Sequence, residues 1–352
     1  MHHLLEVQDL EVKFALRFGE LTAINGVGFT LERGERMGLV GESGAGKSVT
    51  GFAIINLISK PGYISRGRVL FEGRALNQLS HEAMRDIRGN RISMIFQDPM
   101  MTLNPVLTVG TQMVETLLAH RRISRQAAAK IALDKLRMVQ IPSPAKRLTQ
   151  YPHEFSGGMR QRIVIAIALV TDPALIIADE PTTALDVTIQ AEIMELLLEL
   201  CQAQKTGLVL ITHDLAVVSQ VTEKLAVMYA GNIVEKGATD VIVNDPAHPY
   251  TQGLIRALPG IITPGSRLHQ IPGVMPSLTS IPPGCPFHPR CPFCAAVCRT
   301  TPPHLAPVAN RQVACHMAAA QNGRPGPAGT RGAWRPDSEK ITFGKAVETH
   351  GR

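Results

Sequence analysis

No apolar run in the sequence is longer than residues 163–170, far short of the roughly 20 residues that span a bilayer. The start, Met-His-His-Leu-Leu-Glu, has no long apolar stretch of the kind a signal peptide carries. The chain is therefore expected to stay in the cytosol, where a membrane role requires partner subunits. Aromatic residues make up only 4%, so the core must be aliphatic. There is no internal repeat and no heptad run, and only one glycine-rich loop of the phosphate-binding type occurs. Acidic residues are outnumbered, 29 against 36 basic, for a net charge of +7. The basic residues lie largely in scattered pairs such as Arg121-Arg122 and Lys146-Arg147. That spacing suits a solvated surface better than a nucleic-acid or lipid-binding patch. Cysteine is nearly confined to one stretch: five of six fall between 285 and 315.

What is present reads as alternating strands and helices, an α/β class. Residues 4–14 alternate as a strand, and two apolar stretches in 24–40 are broken by a turn at Arg33-Gly34-Glu35. Further helices are expected at 47–58, 108–140, 163–169 and 188–204, with buried strands at 175–178 and 208–212. Beyond Asp245 proline becomes frequent and helical periodicity fades, which suggests a small loop-rich second domain. From Gly323 the composition is that of a disordered tail.

Residues 41–48 read Gly-Glu-Ser-Gly-Ala-Gly-Lys-Ser between an expected strand and an expected helix. Gly41, Ser43, Gly44 and Gly46 let backbone N–H groups curl around phosphate oxygens at a helix N-terminus. Lys47 can reach the outer phosphates and Ser48 can hold Mg²⁺. The apolar strand at 175–178 ends in Asp179-Glu180. A parallel strand would bring both carboxylates beside the phosphates, Asp179 toward Mg²⁺ and Glu180 toward the attacking water.

Residues 155–162, Phe-Ser-Gly-Gly-Met-Arg-Gln-Arg, resemble the signature motif of ATP-binding-cassette (ABC) ATPases. Ser156, Gly157 and Gly158 would form a second anion site, facing the nucleotide of the other cassette in a dimer. In the family's order, Gln97 resembles the Q-loop glutamine, Ala184-Leu185-Asp186 the D-loop, and His213 the switch histidine. An adenine-stacking aromatic is expected from the first hairpin, Phe18 or alternatively Phe14. Residues 96–105 (Phe-Gln-Asp-Pro-Met-Met-Thr-Leu-Asn-Pro) and 245–251 (Asp-Pro-Ala-His-Pro-Tyr-Thr) are similar to the dipeptide and oligopeptide importer branch. Met100-Met101-Thr102 and Phe155 depart slightly from its usual residues.

The resemblance implies an ABC ATPase domain over 1–245, with a helical subdomain about 98–160, a Cys/Pro-rich C-terminal domain over 246–320, and a disordered tail over 321–352. It implies ATP and Mg²⁺, and a motor for peptide import at the cytoplasmic face of the membrane. Its expected partners are two membrane-spanning permease subunits, a second ABC ATPase, indirectly a substrate-binding protein, and no nucleic acid. Nickel or glutathione remain alternative cargoes, and a soluble ABC ATPase that does not transport is the more distant alternative. Cys285, Cys291, Cys298 and Cys315 match positions at which some members of the branch hold a [4Fe–4S] cluster, whereas Cys294 is additional. Zinc, with His288, His304 and His316 nearby, and metal-free thiols stay open.

Overall fold

A computed structural model describes residues 2–17, 19–183, 185–258 and 270–320. The tail expected at 321–352, Phe18 and Ala184 lie outside the described residues. The chain opens with β1 (Leu5–Leu16) and β2 (Gly19–Leu31), then β3 (Arg36–Val40), α1 (Lys47–Ile54), β4 (Gly62–Phe71) and β5 (Arg74–Ala75). Four of these strands form an antiparallel sheet in the order β2-β1-β4-β5. β1 buries Leu5, Val7, Leu10 and Val12. Its alternation slips between Val7 and Leu10, where the pairing register shifts and Asp9 takes φ 45°. A bulge there keeps both apolar pairs on the buried face.

After α2 (His81–Ile87) and β6 (Ile92–Ile95), five helices follow: α3 (Pro99–Thr102), α4 (Val109–His120), α5 (Arg125–Met138), α6 (Pro144–Arg147) and α7 (Gly157–Ala168). The sequence suggested one helix across 108–140, but the structure breaks it at 121–124 without glycine or proline. Ser124 starts the second helix by accepting the Ala127 N–H at 3.2 Å, a local cap that competes with helix continuation. α4, α5 and α7 pack on one another.

The remaining elements are β7 (Leu175–Asp179), α8 (Val187–Gln204), β8 (Gly207–Thr212), α9 (Leu215–Val221), β9 (Lys224–Tyr229), β10 (Asn232–Ala238), α10 (Thr239–Asn244) and α11 (Pro249–Arg256). The C-terminal segment adds α12 (Ala296–Thr300), β11 (Ala306–Val308), β12 (Arg311–Val313) and α13 (His316–Ala320). Eight strands form the main sheet, in the order β11-β12-β10-β9-β3-β8-β7-β6, and the run from β9 to β6 is parallel.

Every residue of β7 and β8 is buried, as a parallel sheet covered on both faces requires. Ile176 and Ala178 of β7 enter one apolar core with α4, α5, α7 and α8. Leu175 and Ile177 enter a second core with α1 and the antiparallel sheet. The two-residue period of one strand thus joins both layers and holds its C-terminal end, where the carboxylates stand.

The segment after 245 is joined to this sheet, because β12 pairs with β10. The fully buried Glu235 of β10 accepts the N–H groups of Ala247 and His248 at 2.9 Å and lies 3.5 Å from Arg311. Burial raises the Glu235 carboxyl above its ordinary range, against the lowering effect of those hydrogen bonds and of Arg311.

Candidate nucleotide-binding site

β3 delivers the chain to Gly41, and Gly46 turns it into α1 with φ 100°. Both positions exclude a side chain. A Cβ on Gly41 would stand 2.3 Å from the Met228 carbonyl oxygen, and one on Gly46 would stand 2.8 Å from Ile24 Cγ2. No side chain caps α1, so its first-turn amides point outward as a ready anion site. Lys47 lies beneath the loop, 5% exposed, and donates to the carbonyls of Gly41 at 2.9 Å and Glu42 at 3.1 Å. Burial lowers its pKa, while the charges of Glu180, Asp179 and Glu42 work in the opposite direction.

Ser48 donates to Asp179 Oδ1 at 3.0 Å. Burial raises the Asp179 carboxyl, the Ser48 hydrogen bond lowers it, and the neighbouring Glu180 raises it further. A hydroxyl and a buried carboxylate in contact beside a lysine are the hard oxygen donors that Mg²⁺ selects, so this pair fits the metal.

Glu180, the next residue, sits in the left-handed region at φ 45° while its N–H donates to the Ile211 carbonyl at 2.8 Å. That strained backbone, paired to β8, aims the carboxylate into the site. Gln97 Nε2 donates to Glu180 Oε2 at 3.1 Å and Thr183 Oγ1 donates to the same oxygen at 2.9 Å. His213 Nδ1 lies 3.1 Å from Oε1. Burial pushes Glu180 upward, but the His213 and Thr183 hydrogen bonds and the charges of His213 and Lys47 outweigh it, so its pKa falls below the ordinary value. A carboxylate kept ionised and fixed by three neighbours is equipped to orient and polarise a water.

The structure therefore brings Lys47, Ser48, Asp179, Glu180, Gln97 and His213 together. Thr183 joins them, a residue missed in the sequence although it lies only three positions after Glu180. Ser43 and Gly44 belong to the same loop. Ser156 caps α7, accepting the Met159 N–H at 3.4 Å, and with Gly157 it is exposed. Gly158 lets α7 approach α8, since a Cβ there would meet Ile189 Cγ2 at 2.9 Å. Among the described residues, no hydrogen bond joins Ser156 to the phosphate loop. Asp186 is exposed at the N-terminus of α8. Phe18 lies outside the described residues, and its alternative Phe14 packs its ring on Gly62.

None of the six cysteines forms a disulfide. Burial pushes Cys285 up to about 11 and Cys291 to about 12, and both are raised further by Cys298 and Cys315. The Cys285 N–H donates to the Cys298 carbonyl at 2.8 Å. Among the described residues, however, no group of three or more His, Cys, Asp or Glu side chains is arranged to hold a metal ion, and the expected [4Fe–4S] site finds no ready ligand set.

A family model described as ABC transporter matches residues 24–183, and one described as the C-terminal region of oligopeptide/dipeptide transporters matches residues 234–298. The oligopeptide transport ATP-binding protein OppD of Bacillus subtilis is 54% identical, over 81% of this chain and 80% of its own. The dipeptide transport ATP-binding protein DppD of Escherichia coli is 46% identical, over 92% and 99%. Among solved structures, a dimeric ATP-binding cassette in a post-hydrolysis state with ADP and Pi superposes with a TM-score of 0.60. It is 27% identical and is matched over 67% of this chain and 98% of its own. Together with the P-loop and its carboxylates, these matches establish that the chain belongs to the ABC transporter ATPases, in the branch of the oligopeptide and dipeptide transport ATP-binding proteins.

Proposed function

We propose that this chain is the motor subunit of a peptide importer, binding and hydrolysing ATP to drive membrane-spanning permease partners. The observation that carries the reading is the Glu180 carboxylate, fixed by Gln97, Thr183 and His213 beside the Ser48–Asp179 pair. In this scheme the loop amides and Lys47 bind the phosphates, and Ser48 and Asp179 hold Mg²⁺. Bound there, Mg²⁺ would neutralise charge on the outer phosphates. Glu180 accepts a proton from the attacking water, His213 orients Glu180, and Gln97 links the site to the helices α3–α7. We assign the ATPase core to 1–245, its helical subdomain to about 98–160, and the C-terminal extension to 246–320.

Among the described residues, no hydrogen bond joins Ser156, Gly157, Gly158 or Asp186 to the phosphate loop, which supports a role across a cassette dimer. A related second ATPase is the proposed partner. Among the described residues no helix is long and apolar enough to cross a membrane, and we place the subunit peripherally, at the cytoplasmic face, with a substrate-binding protein feeding the permeases. Peptide cargo rests on what the relatives' names say of those proteins. Uptake of labelled di- and oligopeptides by vesicles carrying the complete transporter tests it: ATP-dependent uptake is expected, and uptake of nickel or glutathione but not peptide would overturn it.

For the cysteines we propose that Cys285, Cys291, Cys298 and Cys315 close on a [4Fe–4S] cluster when it is supplied. Their clustering in the sequence, within a segment of short elements, supports this. The bound cluster would cross-link that segment.

A further inference from the structure

The cysteine-bearing segment reaches the phosphate loop itself. Arg290, in the turn His288–Arg290 next to Cys291, has a side chain only 7% exposed. Its Nη1 donates to Glu42 Oε2 at 3.0 Å, and its Nε donates to the Pro272 carbonyl at 2.9 Å. The guanidinium also lies 5.8 Å from the Tyr229 ring and 5.9 Å from the Phe287 ring. Glu42 is the second residue of the loop and is tied further: its N–H donates to the Tyr250 hydroxyl at 2.9 Å, and its carbonyl accepts Lys47 Nζ at 3.1 Å and the Ala45 N–H at 3.2 Å. Met275 closes the other side, its Cε lying 3.2 Å from where a Cβ of Gly44 would stand.

We propose that Arg290 is a positioning residue for the phosphate loop, acting through Glu42. Without nucleotide, Lys47 itself braces the loop by holding the carbonyls of Gly41 and Glu42. When Lys47 turns its donors to the phosphates it gives up those carbonyls. Arg290, Tyr250 and the Ala45 N–H, which donates to the Glu42 carbonyl at 3.2 Å, are then left holding Glu42, and Arg290 is the one that grips its carboxylate. A shielded, charge-assisted pair packed against two rings is stiffer than an ion pair in open solvent. The cysteine segment thereby sets the loop's readiness for nucleotide.

This rests on reading Lys47 as the phosphate-binding lysine, and the experiment separates the two claims. With the full-length chain, equilibrium titration of a non-hydrolysable ATP analogue with Mg²⁺ is made on Arg290→Gln, Arg290→Lys, Glu42→Gln, the Arg290→Gln/Glu42→Gln double variant and Lys47→Ala. KM and kcat are measured in the assembled transporter. Contact pairs couple strongly enough that each glutamine variant should weaken binding about tenfold, with KM rising more than kcat falls. The double variant should be no weaker than the weaker single, and Arg290→Lys should recover part of the loss. Wild-type affinity in Arg290→Gln, or losses that multiply in the double variant, would overturn the positioning role. Should Arg290→Gln not fold, Glu42→Gln carries the test, because it leaves Arg290 its Pro272 and ring contacts. Wild-type affinity in Lys47→Ala would instead overturn the reading of the loop. Loss in Lys47→Ala with none in Arg290→Gln or Glu42→Gln rejects only the positioning role.

Discussion

His213 Nδ1 stands 3.1 Å from Glu180 Oε1, although 33 residues separate the two in the chain. They meet because β7 and β8 are neighbours in the parallel sheet, with Asp179 opposite Ile211. One carboxylate emerges just past the end of β7 and one imidazole just past the end of β8. The contact helps to keep Glu180 ionised, and it makes the hydrolytic geometry depend on where the two strands end.

The first prediction concerns Lys47. Replacing it with alanine removes a buried cation that the proposed phosphates would otherwise meet. Hydrogen bonds to charged groups contribute about 1.5–3 kcal/mol, so nucleotide affinity should fall roughly ten- to hundredfold. Equilibrium binding reads this directly, and unchanged affinity would remove Lys47 from the site.

Gly41→Ala should destabilise the fold as well as the site. Its Cβ would come 2.3 Å from the Met228 carbonyl oxygen, which is backbone and has little room to move. Overpacking of this kind costs about 1–3 kcal/mol. Denaturant unfolding should show that loss, accompanied by weaker nucleotide binding; a variant as stable as the parent would contradict the packing.

These two residues also show what the sequence could and could not reveal. The phosphate loop and Asp179-Glu180 are contiguous motifs at expected strand ends, so their meeting, seen in the Ser48–Asp179 hydrogen bond, was legible in the sequence. Thr183 was equally near but was passed over, because a hydroxyl carries no motif by itself. Ser124 interrupts the run 108–140 through a single cap, a local competition that apolar periodicity does not register. The Arg290–Glu42 pair joins positions 248 residues apart. Arg290 reaches Glu42 through the fold, held by the Pro272 carbonyl and beside the Tyr229 ring, a long-range contact that no local pattern encodes. The four cysteines could be singled out by clustering in the sequence.

His248 gives a pH prediction. It is 1% exposed, accepts the Tyr250 N–H at Nδ1, and burial pushes its pKa down to about 3. The unfolded chain binds its proton at about 6.5, so between pH 6.5 and 3 only the unfolded state is protonated here. Folding stability contributed by neutral His248 is complete above pH 6.5 and is lost as pH falls toward 3, by about 1.4 kcal/mol per pH unit. His248→Asn keeps an acceptor for the Tyr250 N–H and does not titrate. Its stability should therefore fall less steeply than the parent's across pH 6 to 4. Parallel stability curves would contradict the assignment.

The cysteine proposal is decided by elemental analysis of anaerobically prepared protein. Iron and sulfide in nearly equal amounts, with brown colour, is the expected result. Serine at Cys285, Cys291, Cys298 or Cys315 should remove the colour, and serine at Cys294 should not. Zinc without iron, or neither metal, would reject the cluster.

The central claim is that Glu180 activates water for ATP hydrolysis, and Glu180→Gln tests it most directly. The amide keeps the shape and can still meet Gln97, Thr183 and His213, but it cannot act as the base. ATP turnover by the assembled transporter, measured beside nucleotide binding, should fall at least about a hundredfold while binding stays at the parent's strength. Turnover that survives the substitution would contradict the account.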